Sequence, residues 1–272
     1  MPKYLNIACG SVFSSQTEWL NLDYSPAKHV QGMNIVGDIH TVKPVFEVVY
    51  TSHFLEHVPL DLVPVFLREC RRLTADGGLF RVVVPDAEML MREYLKHRDT
   101  GESAKADYAY LLFLDQCTRR FSGGQLGLTH QRIRQGDMAN LQQYVHYLEG
   151  SETVMPVPTR IRPGLSARAF AIASNPAIFL KNLERRYTRM ICAMLPRAFR
   201  EQNVIFTSVG ERHAWMYDFS SLREKLIQAG FSSVELHAFN TTSRATGFFA
   251  PLDEVLGSPR KGHHQLFVEA HP

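Results

Sequence analysis

The amino-acid sequence predicts an α/β protein whose doubly wound sheet is mostly parallel and closes with an antiparallel strand. Short β-rich runs alternate with helical patterns over the first hundred residues, helical patterns alone fill the middle, and the alternation returns after residue 212. Strands that alternate with helices usually form a layered parallel sheet. We therefore expect residues 1–99 and 213–272 to form one α/β domain, with residues 100–212 as a mainly helical insertion that caps it.

Four apolar runs predict the strands of the first half. They are "YLNIA" (4–8), "EWLNLD" (18–23), "EVVYTS" (47–52) and "LFRVVVPD" (79–86). Buried parallel strands read as short hydrophobic runs of this kind, rich in β-branched and aromatic residues. These four runs should therefore lie side by side in the centre of the sheet.

The connections between these strands differ in length. Eight residues separate Gly10 from Trp19, whereas a parallel crossover normally needs about a dozen or more. The first crossover should therefore be a loop or a single helical turn. Residues 60–73 place apolar side chains at helical spacing, with Pro64 in the first turn, where its missing N–H costs little. The turn sequence "TADGG" (74–78) should end this helix.

The rest of the chain divides at about residue 212. Helix-like runs lie at 87–98, 104–120, 138–149 and 175–201, and a Pro-rich stretch interrupts them at 155–164.

Beyond that point the pattern predicts a helix and two closing strands. Ser221-x-x-Glu224 matches a capping box at the start of the helix, and Gly230 is a stop signal. The two strands should be "SSVELHAF" (232–239) and "HQLFVEA" (264–270).

Composition limits the class of protein. The chain has 272 residues, of which 45% are hydrophobic and 21% charged, as expected for a folded globular protein. No run approaches the roughly 18–20 apolar residues of a membrane span, and no signal peptide is recognisable at the N-terminus. We therefore expect a cytoplasmic protein. The four cysteines form no C-x-x-C pair, which argues against a disulfide framework or a cysteine-rich zinc site.

The net charge of +3 is distributed unevenly. Between Arg160 and Arg212 there are ten Lys or Arg and three acidic residues, so this stretch carries about +7 and the remainder about −4. Two interpretations stay open. The stretch is either a solvated helix face or a site for a phosphate-bearing or otherwise anionic partner.

Chemistry-bearing residues follow the predicted strands. Gly10 ends the first strand, Asp23 ends the second, Asp38 lies in the next loop, and "YTSHFLEHV" (50–58) includes the end of the fourth. Ligands of open α/β sheets bind beyond the carboxyl ends of the strands. A glycine lets the backbone approach a ligand closely, and an acid after the second strand can accept ribose hydroxyls. This pattern predicts a cofactor that contains adenosine.

The same segments, together with "RECRRLTADGGLFRVVVPD" (68–86) and "HAWMYDFSSLREKLIQAG" (213–230), resemble the class I S-adenosylmethionine-dependent methyltransferases. The resemblance covers roughly residues 3–90 and 213–270 and implies a Rossmann-like fold that binds S-adenosylmethionine. The sequence Ala8-Cys9-Gly10 replaces the family's Gly-x-Gly. The resemblance assigns residues to each part of S-adenosylmethionine. It places Ala8, Cys9 and Gly10 at the methionine part, Asp23 at the ribose, Asp38 and Ile39 at the adenine, and Ser52 and His53 near the sulfonium.

The motif His53-x-x-Glu56-His57 also matches the inverted zinc-peptidase pattern. In a peptidase these side chains lie on one helix face, whereas here a strand precedes them and His53 should lie in a strand-to-helix turn. Glu56 and His57 should open the helix. Ubiquinone O-methyltransferases and small-RNA 2′-O-methyltransferases look similar in this turn, with Glu-x-x-Glu-His, and use it to hold a divalent cation. We expect no metal here, with a metal site as the alternative.

Methyl transfer requires alignment of donor and acceptor and removal of a proton from the acceptor. Histidine is the natural base, and the candidates are His53, His57 and His213. We therefore expect O-methylation of a small-molecule or saccharide acceptor, which an anionic group would suit. Three alternatives remain: a metal-assisted hydroxyl methyltransferase, a nucleic-acid methyltransferase that uses the basic stretch, although no recognised motif supports it, and a cofactor-binding module without catalysis.

Overall fold

A computed structural model describes residues 2–43, 45–150, 176–207 and 210–272. Within these ranges seven strands form one sheet in the order β3-β2-β1-β4-β5-β9-β6, and β7 and β8 form a separate hairpin. The strands are β1 Tyr4–Ile7, β2 Trp19–Asp23, β3 Gln31–Gly32, β4 Phe46–Ser52, β5 Thr74–Pro85, β6 Ser233–His237, β7 Glu254–Val255, β8 Ser258–Pro259 and β9 Gln265–His271. The Pro-rich stretch at 155–164 lies outside the described residues.

The sheet has the predicted mixture of strand directions. Neighbouring strands from β3 to β5 run parallel, whereas β9 is antiparallel to both β5 and β6. The predicted fold class is therefore confirmed: this is an α/β protein with a mostly parallel, Rossmann-like sheet. The first crossover, residues 8–18, contains no helix, as its length predicts.

Most of the helices lie where the periodicity of the sequence predicts them. They are α1 Ile35–Asp38, α2 Val63–Leu73, α3 Ala87–Asp99, α4 Ser103–Thr118, α5 Gly124–Gln135, α6 Gln142–Glu149, α7 Pro176–Met194, α8 Arg197–Asn203, α9 Phe219–Gln228 and α10 Ala250–Asp253. Helix α5 has no counterpart in the prediction, because two glycines and few apolar side chains hide its periodicity. Pro64 lies in the first turn of α2, as predicted.

Two predicted boundaries are wrong. Helix α9 is capped by Asp218, whose carboxylate accepts the backbone N–H of Ser221 at 2.8 Å, so the capping box begins three residues before Ser221. Helix α2 ends at Leu73, as the sequence "TADGG" predicts, but β5 begins at Thr74 instead of Leu79, because residues 74–78 form its irregular beginning. Thr74 pairs with Phe46, and the register then shifts before Val48 pairs with Leu79.

Separate hydrophobic clusters stabilise the sheet and the helical region. The main core joins the sheet to α2 and α9 through residues such as Leu5, Phe66 and Leu222. A second cluster packs α4, α5 and α6 together and includes Leu90 from α3. The helical region therefore has a core of its own and is anchored to the sheet through the helix that follows β5. None of the described helices is long and apolar enough to cross a membrane.

Candidate functional site

The loops that follow β1, β2 and β4 meet at one edge of the sheet and border a cavity of about 590 Å³. We call it the strand-end cavity. Its lining includes Gly10, Asp23, Asn34 and Phe54, with Arg212 on the opposite wall. These residues come from segments far apart in sequence. The parallel strands bring them together because their carboxyl ends lie at the same edge.

Asp23 is held in place by the backbone of the neighbouring loops. Its Oδ2 accepts the Gly10 N–H at 2.9 Å, and its Oδ1 accepts the Ser25 N–H at 3.0 Å. Gly10 has a φ of +55°, and no atom lies within 4 Å of the position that a Cβ would occupy there. A carboxylate offers about four acceptor positions, so Asp23 retains about two for a ligand.

The other residues assigned to methionine divide between two cavities. Ala8 has a φ of 55°, a conformation that favours glycine, and it borders both the strand-end cavity and a smaller cavity of about 190 Å³. Cys9 and Ser52 border only the smaller one. Burial raises the pKa of Cys9 to about 12, and the nearby Asp23 charge adds to this. Cys9 is therefore a neutral thiol.

The residues assigned to adenine lie away from all of these cavities. Asp38 is exposed at the end of α1, and Ile39 is only 2% exposed within the main core. Asn34, Ile35 and Val36 line the strand-end cavity instead. These three residues lie about one helical turn before Asp38 and Ile39.

Beside the strand-end cavity, three imidazoles surround one buried carboxylate. Glu56 is fully buried, and its Oε1 lies 3.3 Å from His53 Nδ1, 3.9 Å from His57 Nε2 and 3.9 Å from His213 Nε2. Neither carboxylate oxygen accepts a hydrogen bond of good geometry from the described residues. We call these four residues the histidine–glutamate cluster.

The local backbone determines how these side chains point. His53 has a φ of 52°, and Leu55–His57 form a separate 3₁₀ turn that ends at Val58. Glu56 and His57 therefore do not open α2, which begins at Val63. None of the motif residues lies on an α-helix face, so the arrangement is not that of the inverted zinc peptidases.

His213 joins the cluster through backbone contacts. The carbonyl of Glu56 accepts the Ala214 N–H at 2.6 Å, and the carbonyl of Gln116 accepts the His213 N–H at 2.9 Å. The rings of His57 and His213 meet edge to face, with their centroids 4.8 Å apart. All three histidines predicted as bases therefore lie together.

Hydrogen bonds define the proton position on His57. Its Nδ1 lies 2.8 Å from the carbonyl oxygen of Arg212, which can only accept a hydrogen bond. Nδ1 must therefore carry a proton, and in the neutral ring Nε2, which lies 3.9 Å from Glu56 Oε1, keeps a lone pair. His53 Nε2 lies 2.9 Å from Gln265 Oε1.

Burial alters the titration of the cluster. Burial and the Lys261 charge lower the pKa of His53, although Glu56 opposes this. Burial also lowers the pKa of His213 to about 3. Burial by itself raises the pKa of Glu56, but the surrounding imidazoles outweigh burial and lower this pKa to about 2. At neutral pH His53 and His213 are therefore uncharged and Glu56 is ionised.

A second cavity of about 390 Å³ is bordered by all four residues of the cluster, and its lining is strongly polar. We call it the polar cavity. His53 and His57 border both this cavity and the strand-end cavity, whereas His213 borders only the polar one. The two histidines thus lie at the boundary between the cavities.

The helical region contributes Glu149 to the polar cavity. Its Oε1 lies 2.9 Å from His130 Nε2 and contacts the hydroxyl of Tyr108. Burial raises the pKa of Glu149 to about 8 and lowers that of His130 to about 4, so both groups are uncharged at neutral pH.

The loop at 260–264 forms another wall of the polar cavity. Its amides bond to the end of α6, from His263 N–H to the Tyr147 carbonyl at 3.0 Å and from His264 N–H to the Leu148 carbonyl at 3.3 Å. No sequence pattern indicates Glu149, Lys261 or His264 as site residues, because each reaches the cavity through tertiary packing alone.

Comparison with solved structures finds matches among methyltransferases. One is an S-adenosylmethionine-dependent methyltransferase from Archaeoglobus fulgidus, with 9% identity, a TM-score of 0.39, and coverage of 100% of this chain and 86% of that one. The S-adenosylmethionine-dependent methyltransferase SibL has 11% identity and a TM-score of 0.39, over 99% of this chain and 50% of its own. A third, an S-adenosylmethionine-dependent methyltransferase from Clostridium acetobutylicum, has 15% identity and a TM-score of 0.27, over 33% of this chain and 45% of its own.

The chain therefore spans about half the length of two of these three proteins. No protein-family model matches the sequence, and no curated protein matches it.

Proposed function

We propose that this protein is an S-adenosylmethionine-dependent methyltransferase that O-methylates a small-molecule or saccharide acceptor. The observation that carries this proposal is the boundary formed by His53 and His57. A cavity with the features of a nucleoside site lies on one side of it, and a polar cavity lies on the other. A donor and an acceptor bound in the two cavities would meet at these histidines.

The strand-end cavity suits the cofactor. Its volume of about 590 Å³ falls within the range of about 300–1,000 Å³ that is usual for small-molecule sites. Asp23 keeps acceptor positions for the two ribose hydroxyls, and Gly10 leaves its side open. Asn34, Ile35 and Val36 supply polar and apolar contacts for the base. When bound, S-adenosylmethionine supplies an activated methyl group on a sulfonium.

The polar cavity suits a hydroxylated acceptor. Most small-molecule sites are lined mainly by apolar side chains, whereas this one presents Glu149, Gln116, Lys261 and His264 together with the histidine–glutamate cluster. Uncharged Glu149 can donate a hydrogen bond, and the Lys261 ammonium favours an anionic group. Gln116 and Glu149 belong to residues 100–212, which supports the proposal that this region caps the acceptor.

His57 is the proposed base. Its Nδ1 is committed to the Arg212 carbonyl, so the free lone pair of Nε2 is available to take the acceptor proton. The nearby Glu56 carboxylate stabilises the imidazolium that forms. His53 and buried His213 lie 3.3 Å and 3.9 Å from the same Glu56 oxygen, Oε1, and help to hold this carboxylate in place.

The test is transfer of labelled methyl groups from S-adenosylmethionine to a panel of sugars, phenols and their phosphates. With an accepted substrate, His57→Gln should lower kcat by about 10²–10⁴-fold and leave cofactor affinity unchanged. His146→Gln, on an exposed helix face, is the matched control and should behave as the wild type. Cofactor binding without transfer to any acceptor would favour a non-catalytic module.

One observation favours a second candidate, a metal-assisted hydroxyl methyltransferase. Ligand atoms of Glu56, His57 and His213 lie within 4.8 Å of one another, and the Glu56 oxygens accept no hydrogen bond of good geometry. One carboxylate and two imidazoles form a donor set that suits Zn²⁺ or another divalent transition metal. A cation there would polarise the acceptor hydroxyl.

Chelation separates the two candidates. If His57 acts as a base without metal, a chelator leaves turnover unchanged. In the metal-assisted case, a chelator abolishes turnover, an added divalent cation restores it, and His213→Gln lowers the bound metal content. Metal analysis of the purified protein gives a readout that does not depend on activity.

A further inference from the structure

Helix α7 exposes a stripe of large apolar side chains. The positions are separated by four, three, one and three residues, so they fall on one side of the helix. These residues and their exposed fractions are Leu183 at 53%, Tyr187 at 59%, Met190 at 56%, Ile191 at 42% and Met194 at 78%. We call them the α7 stripe.

Basic residues occupy the rest of the helix. Residues 181–194 contain four Lys or Arg and a single acid, Glu184. Arg186 and Arg189 are exposed; Arg186 lies at helical spacing from Leu183 and Met190, at one edge of the stripe, and Arg189 lies on the polar face. The helix is therefore amphipathic, with an apolar stripe on one side and a net positive charge on the rest of its surface.

The described part of α7 buries almost nothing. Of its described side chains, all but Cys192 are exposed. Most helices in proteins are stabilised mainly by packing of an amphipathic face. The stripe therefore requires a surface that covers it.

We propose that α7 lies on the surface of an anionic lipid membrane. An apolar stripe with arginines beside it is typical of helices that rest in the interface plane, and acidic headgroups complement the arginines. A second copy of this chain fits less well, because it would bring together two helical segments that each carry a net positive charge, with four Lys or Arg against one acid in residues 181–194. This proposal does not depend on the proposed methyltransferase activity.

The test uses the full chain and flotation with two kinds of vesicle. One contains phosphatidylglycerol and phosphatidylcholine, and the other contains phosphatidylcholine alone. The wild type should float with the anionic vesicles at physiological salt and much less with the neutral ones. Replacing Arg186 and Arg189 together by Gln should weaken this binding by about thirtyfold.

Replacing Met190 and Met194 together by Ser should weaken binding by at least about tenfold, because the buried apolar area is lost. Leu95→Ser is a matched control, since this residue is 58% exposed on α3, and Arg223→Gln on α9 controls for charge. Both should bind as the wild type does. Circular dichroism checks that every variant keeps its fold.

A wild type that floats with neither vesicle overturns the proposal. Equal binding by the Met190 and Met194 variant also overturns it. If the stripe instead supports self-association in solution, seen as a mass increase that this variant abolishes without any vesicle binding, the surface is a dimer interface and the proposal is wrong.

Discussion

Asp23 is the single side chain on which the proposed cofactor site depends most. Its carboxylate is oriented by two backbone N–H groups and lines the strand-end cavity. Asp23→Asn should weaken binding of S-adenosylhomocysteine by roughly tenfold to a hundredfold, because a hydrogen bond to a charged group is worth about 1.5–3 kcal/mol. Isothermal titration calorimetry measures the change.

Asp38→Asn is the control for this substitution. Asp38 is exposed and borders none of the described cavities, so its replacement should leave the affinity unchanged. Equal losses for Asp23→Asn and Asp38→Asn would remove Asp23 from the cofactor site.

Sequence patterns predict which residues border the strand-end cavity best where a strand determines the position of a residue. Gly10 and Asp23 each lie at or just after the end of a strand, so the sheet brings them together. Asp38 and Ile39 do not border this cavity, because the path after the two-residue strand β3 depends on a helical turn that is not visible in the pattern. Glu149 could not be found, because its position depends on how the helices pack.

The loop that closes the polar cavity depends on a close backbone approach between two elements. A Cβ built on Gly262 would lie 2.0 Å from the carbonyl oxygen of Leu148 at the end of α6, and its φ is +80°. Gly262→Ala should therefore force the loop away from α6. We expect a loss of more than about 3 kcal/mol in the free energy of unfolding, measured by urea denaturation.

Gly257→Ala is the matched comparison. Gly257 has a similar φ of +75°, but no atom lies within 4 Å of its added Cβ. Gly257→Ala should therefore lower the free energy of unfolding only by its backbone strain, about 1–2 kcal/mol. If the two variants lost the same stability, the close contact with Leu148 would not be a constraint on the fold.

At the scale of elements, composition predicted the strands better than the helix boundaries. Consecutive β-branched and aromatic residues in "EVVYTS" and "LFRVVVPD" strongly favour buried strands. Helix α5 escaped prediction because Gly124 and Gly127 are poor helix formers. Its stability comes instead from Leu126 and Ile133, which pack into the helical cluster.

The whole molecule should lose stability in mild acid. Burial lowers the pKa of several histidines below the ordinary value of 6.5, most clearly to about 3 for His213 and to about 4 for His264 and His130. The unfolded chain binds more protons than the folded one as pH falls below 6.5. The contribution of these neutral histidines to the free energy of unfolding is therefore complete above pH 6.5. It is lost as pH falls from 6.5 towards their pKa values in the folded state.

Glu149 acts in the opposite sense. Its pKa is raised from 4.5 to about 8. Its contribution to the free energy of unfolding is therefore complete below pH 4.5 and is lost as pH rises through 8. Between pH 4.5 and 6.5, a fall in pH lowers the free energy of unfolding through His213, His264 and His130 and raises it through Glu149. The free energy of unfolding should fall by roughly 2–4 kcal/mol from pH 6.5 to 5.

Urea denaturation at a series of pH values measures this dependence. Glu149→Gln removes the opposing group and should make the loss in acid steeper. A stability that stayed constant from pH 6.5 to 5, in both the wild type and this variant, would contradict the assignment of buried neutral histidines.

Calorimetric titration of the purified protein with S-adenosylhomocysteine tests the central claim most directly, because the two-cavity mechanism requires a cofactor in the strand-end cavity. We expect saturable binding with one site and a micromolar-scale Kd, accompanied by a rise in melting temperature. Absence of both binding heat and a thermal shift, with S-adenosylhomocysteine and with S-adenosylmethionine, would contradict it.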